Sequence, residues 1–145
     1  MCGIAGLFSL DSKGLPDPSG MARRMVDSLP HRGPDGRASW GDPEAGIGLG
    51  HGRLSIIDLT DTGPQPMPST DGRYVMTYNG EVYNFRELRA KLEPLGHKFR
   101  GTSDTEVMLA AISEWGVKAA AQKFTGIFAF GVFDRQTRAL HLVRD

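Results

Sequence analysis

The sequence holds a single cysteine among its 145 residues, Cys2, so neither an internal disulfide nor a thiolate metal cluster can form within the chain. No apolar run approaches the roughly 18 residues that a membrane span requires. The opening Met-Cys-Gly-Ile-Ala-Gly-Leu-Phe lacks the basic segment of a secretory leader, and a lipidated cysteine would follow such a leader, whereas only Met1 precedes Cys2. Charge of one sign is also missing. Lys+Arg and Asp+Glu number 17 each, which leaves no electrostatic footprint for nucleic acid or an anionic membrane surface. These absences leave a cytoplasmic protein that acts on a small ligand. No repeat, low-complexity tract or internal linker divides the chain, so residues 1–145 read as one globular domain that buries roughly two-thirds of its unfolded surface.

Glycine and proline are plentiful, at 19 and 9, and sit mainly in turns, which predicts short strands with tight connections. Residues 3–9 form an apolar run of strand length. Met21, Met25, Val26 and Leu29 recur at helical spacing, and Pro30 stops that helix. His31-Arg32-Gly33-Pro34-Asp35-Gly36 is turn chemistry. From Ala45 to Asp58 the pattern is extended, with glycines 46, 48, 50 and 52 on one face, so another element must pack very close to that face. A stiff loop with Pro64, Pro66 and Pro68 precedes an alternating strand from Arg73 to Tyr78.

Asn84 and Glu87 read as a capping box opening a helix with Phe85, Leu88, Leu92 and Leu95 on its apolar stripe, closed by Gly96. Ser103 and Glu106 frame a second helix carrying Val107, Met108, Ala111, Ile112 and Trp115, closed by Gly116. Residues 126–133 and 139–143, split by a polar turn at 134–138, read as a hairpin. Strands, then helices, then strands favour a layered α+β domain over a βαβ repeat. His31, His51, His97 and His141 show no metal-ligand spacing, and each reads as a surface or internally satisfied histidine. The glycine series at 46–52 has no helix opening after it, so it is not a phosphate loop.

A lone cysteine is most simply an inert buried hydrophobe. Cys2, however, directly follows Met1, and its small side chain suits aminopeptidase removal of that methionine. The freed α-amine, with an ordinary pKa of about 8 beside a thiol of about 8.5, can act as base for its own sulfur, directly or through one water. No separate histidine is then needed.

Six blocks in order give this reading its specificity: Met1-Cys2-Gly3-Ile4-Ala5-Gly6, His31 to Gly36, Arg53-Leu54-Ser55-Ile56-Ile57-Asp58, Gln65-Pro66-Met67, Tyr78-Asn79-Gly80-Glu81-Val82-Tyr83-Asn84, and Ser103-Asp104-Thr105-Glu106. Across essentially its whole length the chain resembles the class II glutamine amidotransferase domain of asparagine synthetases, an N-terminal-nucleophile hydrolase. The Arg-Gly-Pro-Asp and Arg-Leu-Ser-Ile-Ile-Asp segments favour that branch over amidotransferases that make glucosamine phosphate, phosphoribosylamine or glutamate. The resemblance implies a four-layer αββα sandwich, here short of its last strands. It implies Cys2 as nucleophile, and Asn79 with the Gly80 N–H as oxyanion donors. It also implies Arg53 and Asp104 as partners of the glutamine carboxylate and ammonium, with Leu54, Ser55, Ile56, Ile57 and Glu81 lining the pocket.

On residue types alone, Asn79-Gly80 is a turn after the strand that ends at Tyr78, and Asp104 could merely complement a helix N-terminus. Arg53 inside an apolar strand is harder to dismiss, because a half-buried guanidinium needs a partner. By resemblance the chain continues into further strands and an ATP- and Mg-dependent synthetase domain that binds aspartate. No Ser-Gly-Gly-x-Asp-Ser pyrophosphate loop occurs in these 145 residues, and no cofactor or metal is expected for this domain. The expected partners are glutamine and that synthetase domain. An exposed sheet edge would allow a homodimer. Three other readings stay open: a non-catalytic glutamine-sensing domain, a glutaminase serving another carboxylate acceptor, and a redox-sensing thiol protein.

Overall fold

A computed structural model describes residues 1–11, 14–54 and 64–145. The elements run β1 (Gly3–Phe8), α1 (Pro18–Asp27), β2 (Gly36–Asp42), β3 (Ile47–Arg53), β4 (Met67–Pro68) and β5 (Tyr74–Val82). They continue with α2 (Phe85–Leu92) and a 3-10 turn (Glu93–Leu95), then α3 (Asp104–Trp115), α4 (Val117–Ala121), β6 (Gly126–Asp134) and β7 (Ala139–Arg144). Two antiparallel sheets form, ordered β1-β3-β2 and β4-β5-β6-β7.

Strand alternation assigns the layers. Ile47 and Leu49 of β3 meet Val75 of β5 and Phe133 of β6 in a core between the sheets, joined by the edge-on pair Phe8–Phe133. Met76, Tyr78 and Val82 point the other way, into a larger core with Leu88, Leu92, Met108 and Ile112 of α2 and α3. Each such side chain, fully removed from water, contributes about 1.5–3 kcal/mol. On the outer face of the first sheet lies α1. The order is helix, sheet, sheet, helix, which is the four-layer αββα sandwich predicted from the resemblance.

The glycine face of β3 has its explanation in α1. A Cβ on Gly48 would lie 2.1 Å from the Pro18 carbonyl oxygen, and one on Gly50 would lie 2.5 Å from Val26 Cγ2. The helix backbone therefore rests directly on the sheet. Its buried stripe is Pro18, Ala22 and Val26; of the expected Met21, Met25, Val26 and Leu29, Val26 is in the core but Met21 and Met25 are exposed. Small residues, not methionines, suit an approach this close. At the far end of the second sheet, Asp134 is buried and takes two bonds from the Arg73 guanidinium, at 2.7 and 3.1 Å. That guanidinium holds the Asp134 carboxyl far below the usual carboxylate range.

Among the described residues no helix is long and apolar enough to cross a membrane, and no group of three or more His, Cys, Asp or Glu is placed to hold a metal.

Candidate active site

Cys2 stands where the first sheet ends. Gly3 pairs with Gly52, so Cys2 comes opposite Arg53, the last residue of β3. Its Sγ receives the Leu54 N–H at 3.4 Å and lies 3.8 Å from the Leu54 carbonyl oxygen. The thiol is half-buried, and Met1 ahead of it is 71% exposed, open to removal.

The His31–Gly36 turn supports this corner. Gly33 N–H donates to the Met1 carbonyl at 3.1 Å, and Asp35 N–H donates to the Arg53 carbonyl at 3.0 Å. Gly33 takes a positive φ of 60°, and a Cβ there would sit 2.1 Å from the Gly52 carbonyl carbon. Only glycine fits against that peptide. The Met1 bond leaves with Met1, and the Gly33–Gly52 contact and the Asp35 bond still tie the turn to the end of β3 beside Cys2.

Facing it is the second half of β5. Asn79 and Gly80 lie inside a continuous strand, with Asn79 opposite Ala129 and Gly80 opposite Phe128, so the expected turn is corrected. The dipeptide serves here as strand because Gly80, at φ 143°, lets the strand pass within 2.2 Å, measured from a would-be Cβ, of the Ile127 carbonyl oxygen. Thr77 Oγ1 donates to the Gly50 carbonyl at 3.0 Å, and the His51 ring Nε2 lies 3.2 Å from the Tyr78 carbonyl. These contacts run in step along β3 and β5. The residues that follow, Gly52–Leu54 beside Cys2 and Asn79–Gly80, come to the same end of the sandwich. Asn79 shares the inter-sheet face with Val75 and Thr77.

The direction of the Gly80 N–H follows from the ladder. Arg135 N–H donates to the Arg73 carbonyl and Tyr83 N–H to the Thr125 carbonyl, so the odd-numbered residues of β5 bond to β6. Even-numbered residues turn their N–H and C=O to the opposite edge. There Met76 meets β4, Tyr78 N–H reaches the Gln65 side-chain oxygen at 2.6 Å, and Val82 N–H reaches Asp104 at 3.0 Å. The Gly80 peptide groups point to this same edge, between two positions capped by side chains.

Asp104 begins α3, yet it does not cap that helix. Ser103 does so, its oxygen accepting from Thr105 N–H at 3.1 Å. Glu106 completes no box with Ser103 and instead accepts from Gly101 N–H at 2.9 Å. Asp104 Oδ2 takes the Tyr78 hydroxyl at 2.6 Å as well as the Val82 N–H. Burial, then the Asp104 charge, raises the Tyr78 phenol far above its ordinary value, so it remains a donor. Asn84 also departs from expectation. Its side chain bridges Lys123 O and Thr125 N, at 2.8 and 3.0 Å, and makes no cap bond to α2.

Arg53 is half-buried. His51 is buried, and desolvation lowers its pKa from 6.5 to about 4, with the nearby Arg53 charge acting in the same direction. The neutral ring therefore donates from Nε2 to the Tyr78 carbonyl. Glu81 is exposed and adjoins Gly80 on β5. Of the residues named from the sequence, Cys2, Arg53 and Leu54 gather on one side of this end, and Asn79, Gly80, Glu81 and Asp104 on the other. Ser55, Ile56 and Ile57 lie outside the described residues. Sequence reasoning did not single out Tyr78, Gln65 and His51 as supports, although all three stand in or beside the quoted blocks.

The similarities agree with this geometry. A protein-family model described as a glutamine amidotransferase domain matches residues 1–145. The chain is 40% identical to glutamine-hydrolyzing asparagine synthetase 3 of Bacillus subtilis over its whole length, which is 23% of that protein. It is 38% identical to asparagine synthetase 1 of the same organism, again over the whole chain and over 22% of the relative. Amidase chry2 of Gibberella zeae is 35% identical across the whole chain and 22% of its own length. The chain thus spans about a quarter of the relatives it matches. Among solved structures, the glutamine phosphoribosylpyrophosphate amidotransferase of B. subtilis aligns at a TM-score of 0.54 and 21% identity, covering 68% of this chain and 23% of that one. That likeness carries the N-terminal-nucleophile fold. With a corner cysteine behind Met1, two facing sheets and a family match over its entire length, this chain belongs to the glutamine amidotransferase domain family.

Proposed function

We propose that the chain is the glutaminase part of an asparagine-synthetase-type enzyme, with Cys2 as nucleophile. The observation that carries this reading is the convergence of the Cys2 sulfur, the Gly80 edge of β5 and the Asp104 carboxylate at one end of the sandwich. Once Met1 is removed, the Cys2 α-amine takes the thiol proton. The thiolate attacks the side-chain carboxamide carbon of glutamine, and the carbonyl oxygen becomes an oxyanion held by the Asn79 amide and the Gly80 N–H. Removing one such donor typically costs about 10²–10³ in rate. The proton passes to the leaving nitrogen, ammonia departs, and a γ-glutamyl thioester remains. Water then adds to it, releasing glutamate and restoring the thiol.

Arg53 offers a forked cation to the substrate carboxylate, and Asp104 an anion to its ammonium. Leu54 and Glu81 border the site between them, and Ser55, Ile56 and Ile57 complete the lining in this reading. Ammonia passes to an ATP-dependent synthetase domain of a longer protein, which amidates aspartate. The names of the bacterial relatives support aspartate as acceptor. Cys2→Ala should abolish glutamate release while the circular dichroism spectrum and melting profile persist. Retained turnover in that variant refutes the assignment.

A further inference from the structure

Asp104 is set by two donors that share one oxygen. The Tyr78 hydroxyl and the Val82 N–H both reach Oδ2, and among the described residues no donor reaches Oδ1. Tyr78 in turn is fixed at every polar atom. Its N–H goes to Gln65, its carbonyl accepts from His51, and its ring is buried among the helix-side core residues with 3% exposure. Gln65 Nε2 continues to Thr105 Oγ1 at 3.4 Å, the residue after Asp104. A closed circuit results, running from the Tyr78 backbone through Gln65 and Thr105 to Asp104 and back to the Tyr78 hydroxyl.

Nothing in the helix requires this circuit, because Ser103 already caps α3. A carboxylate held by one oxygen, at the β5 edge where it takes the Val82 N–H, and with no donor on its other oxygen among the described residues, suits a ligand cation. We propose that Tyr78 is a positioning residue for the substrate's α-ammonium, acting through Asp104 by holding Oδ2 so that Oδ1 faces the ligand. The inference rests on the glutamine reading above and deepens it. Tyr78 touches no reacting atom.

The test compares two electrophiles on Cys2 in the full chain and in Tyr78→Phe, which keeps the ring and deletes only the hydroxyl. One probe is the diazoketone analogue of glutamine, which retains the α-amino and α-carboxyl groups. The other is iodoacetamide, which has neither. The second-order labelling constant for the glutamine analogue should fall about ten-fold in Tyr78→Phe, the loss of one hydrogen bond to a charged group, while iodoacetamide labelling stays within about two-fold. Equal analogue labelling in the two proteins overturns the proposal. So does a parallel loss with both probes, which marks a general disturbance of the site. A wild-type chain that shows no saturable labelling by the analogue overturns the glutamine reading and this inference together.

Discussion

Gly80→Ala is the substitution whose consequence the geometry fixes most tightly. The new methyl would lie 2.2 Å from the Ile127 carbonyl oxygen and 2.6 Å from Phe128 Cα, both backbone atoms of the neighbouring strand. Reaching an ordinary contact of 3.4 Å requires β5 and β6 to part locally by about 1 Å. Alanine must also hold a φ of 143°, a conformation that L residues rarely adopt. Strain of this kind costs about 1–3 kcal/mol, and overpacking a further 1–3 kcal/mol. At roughly 3 °C per kcal/mol for a chain of this size, the midpoint of thermal unfolding should fall by about 6–18 °C.

The effect on turnover should exceed what stability alone predicts. In the proposed mechanism a shift of about 1 Å moves the Gly80 N–H off the oxyanion, a displacement that costs on the order of 10²-fold in rate. Glutamate release measured well below the lowered midpoint separates the two effects. A Gly80→Ala chain with turnover within ten-fold of wild type would refute the placement of that N–H at the reacting carbonyl.

The other predictions concern Asp104 and His51. Asp104→Ala should raise the KM for glutamine by about 10- to 100-fold and lower kcat much less if, as proposed, the carboxylate meets the non-reacting end of the substrate; a loss confined to kcat contradicts that role. His51 has its folded pKa lowered to about 4 from 6.5, so between these values the unfolded chain binds the extra proton and stability falls as pH drops through the window. The full difference corresponds to at most about 3 kcal/mol. His51→Gln keeps an N–H donor and loses the titration. Chemical denaturation at pH 7 and near pH 4.5 should therefore show a smaller decline in the variant, and identical declines contradict the burial argument.

The larger features of the molecule were readable from residue pattern. Alternating glycines at 48, 50 and 52 announced a close neighbour, and α1 is there. The apolar spacings of 85–95 and 103–116 gave α2 and α3, the second ended by Gly116, but α2 stops at Leu92, a 3-10 turn carries the chain on to Gly96, and Leu95 is exposed rather than on the buried stripe. What failed did so where tertiary contacts override local preference. Asn79-Gly80 has the composition of a turn, yet β6 supplies a ladder partner that keeps it extended. In α1 the methionines look like core but point outward, since the glycine surface beneath leaves room only for Pro18, Ala22 and Val26. β2, Gly-Arg-Ala-Ser-Trp-Gly-Asp, is half-exposed throughout and carries no alternation to detect. At the candidate site, the edge direction of the Gly80 N–H depends on the register of β5 on β6, and the Tyr78–Asp104 bond on how α3 packs against β5, neither of which local sequence carries.

Peptide mapping of the purified chain after exposure to the diazoketone analogue of glutamine tests the central claim most directly. The N-terminus should begin at Cys2, with a single adduct on its sulfur and protection from that adduct by free glutamine. Met1 retained on a fully labelled and active chain, or an adduct that glutamine does not compete away, would contradict that claim.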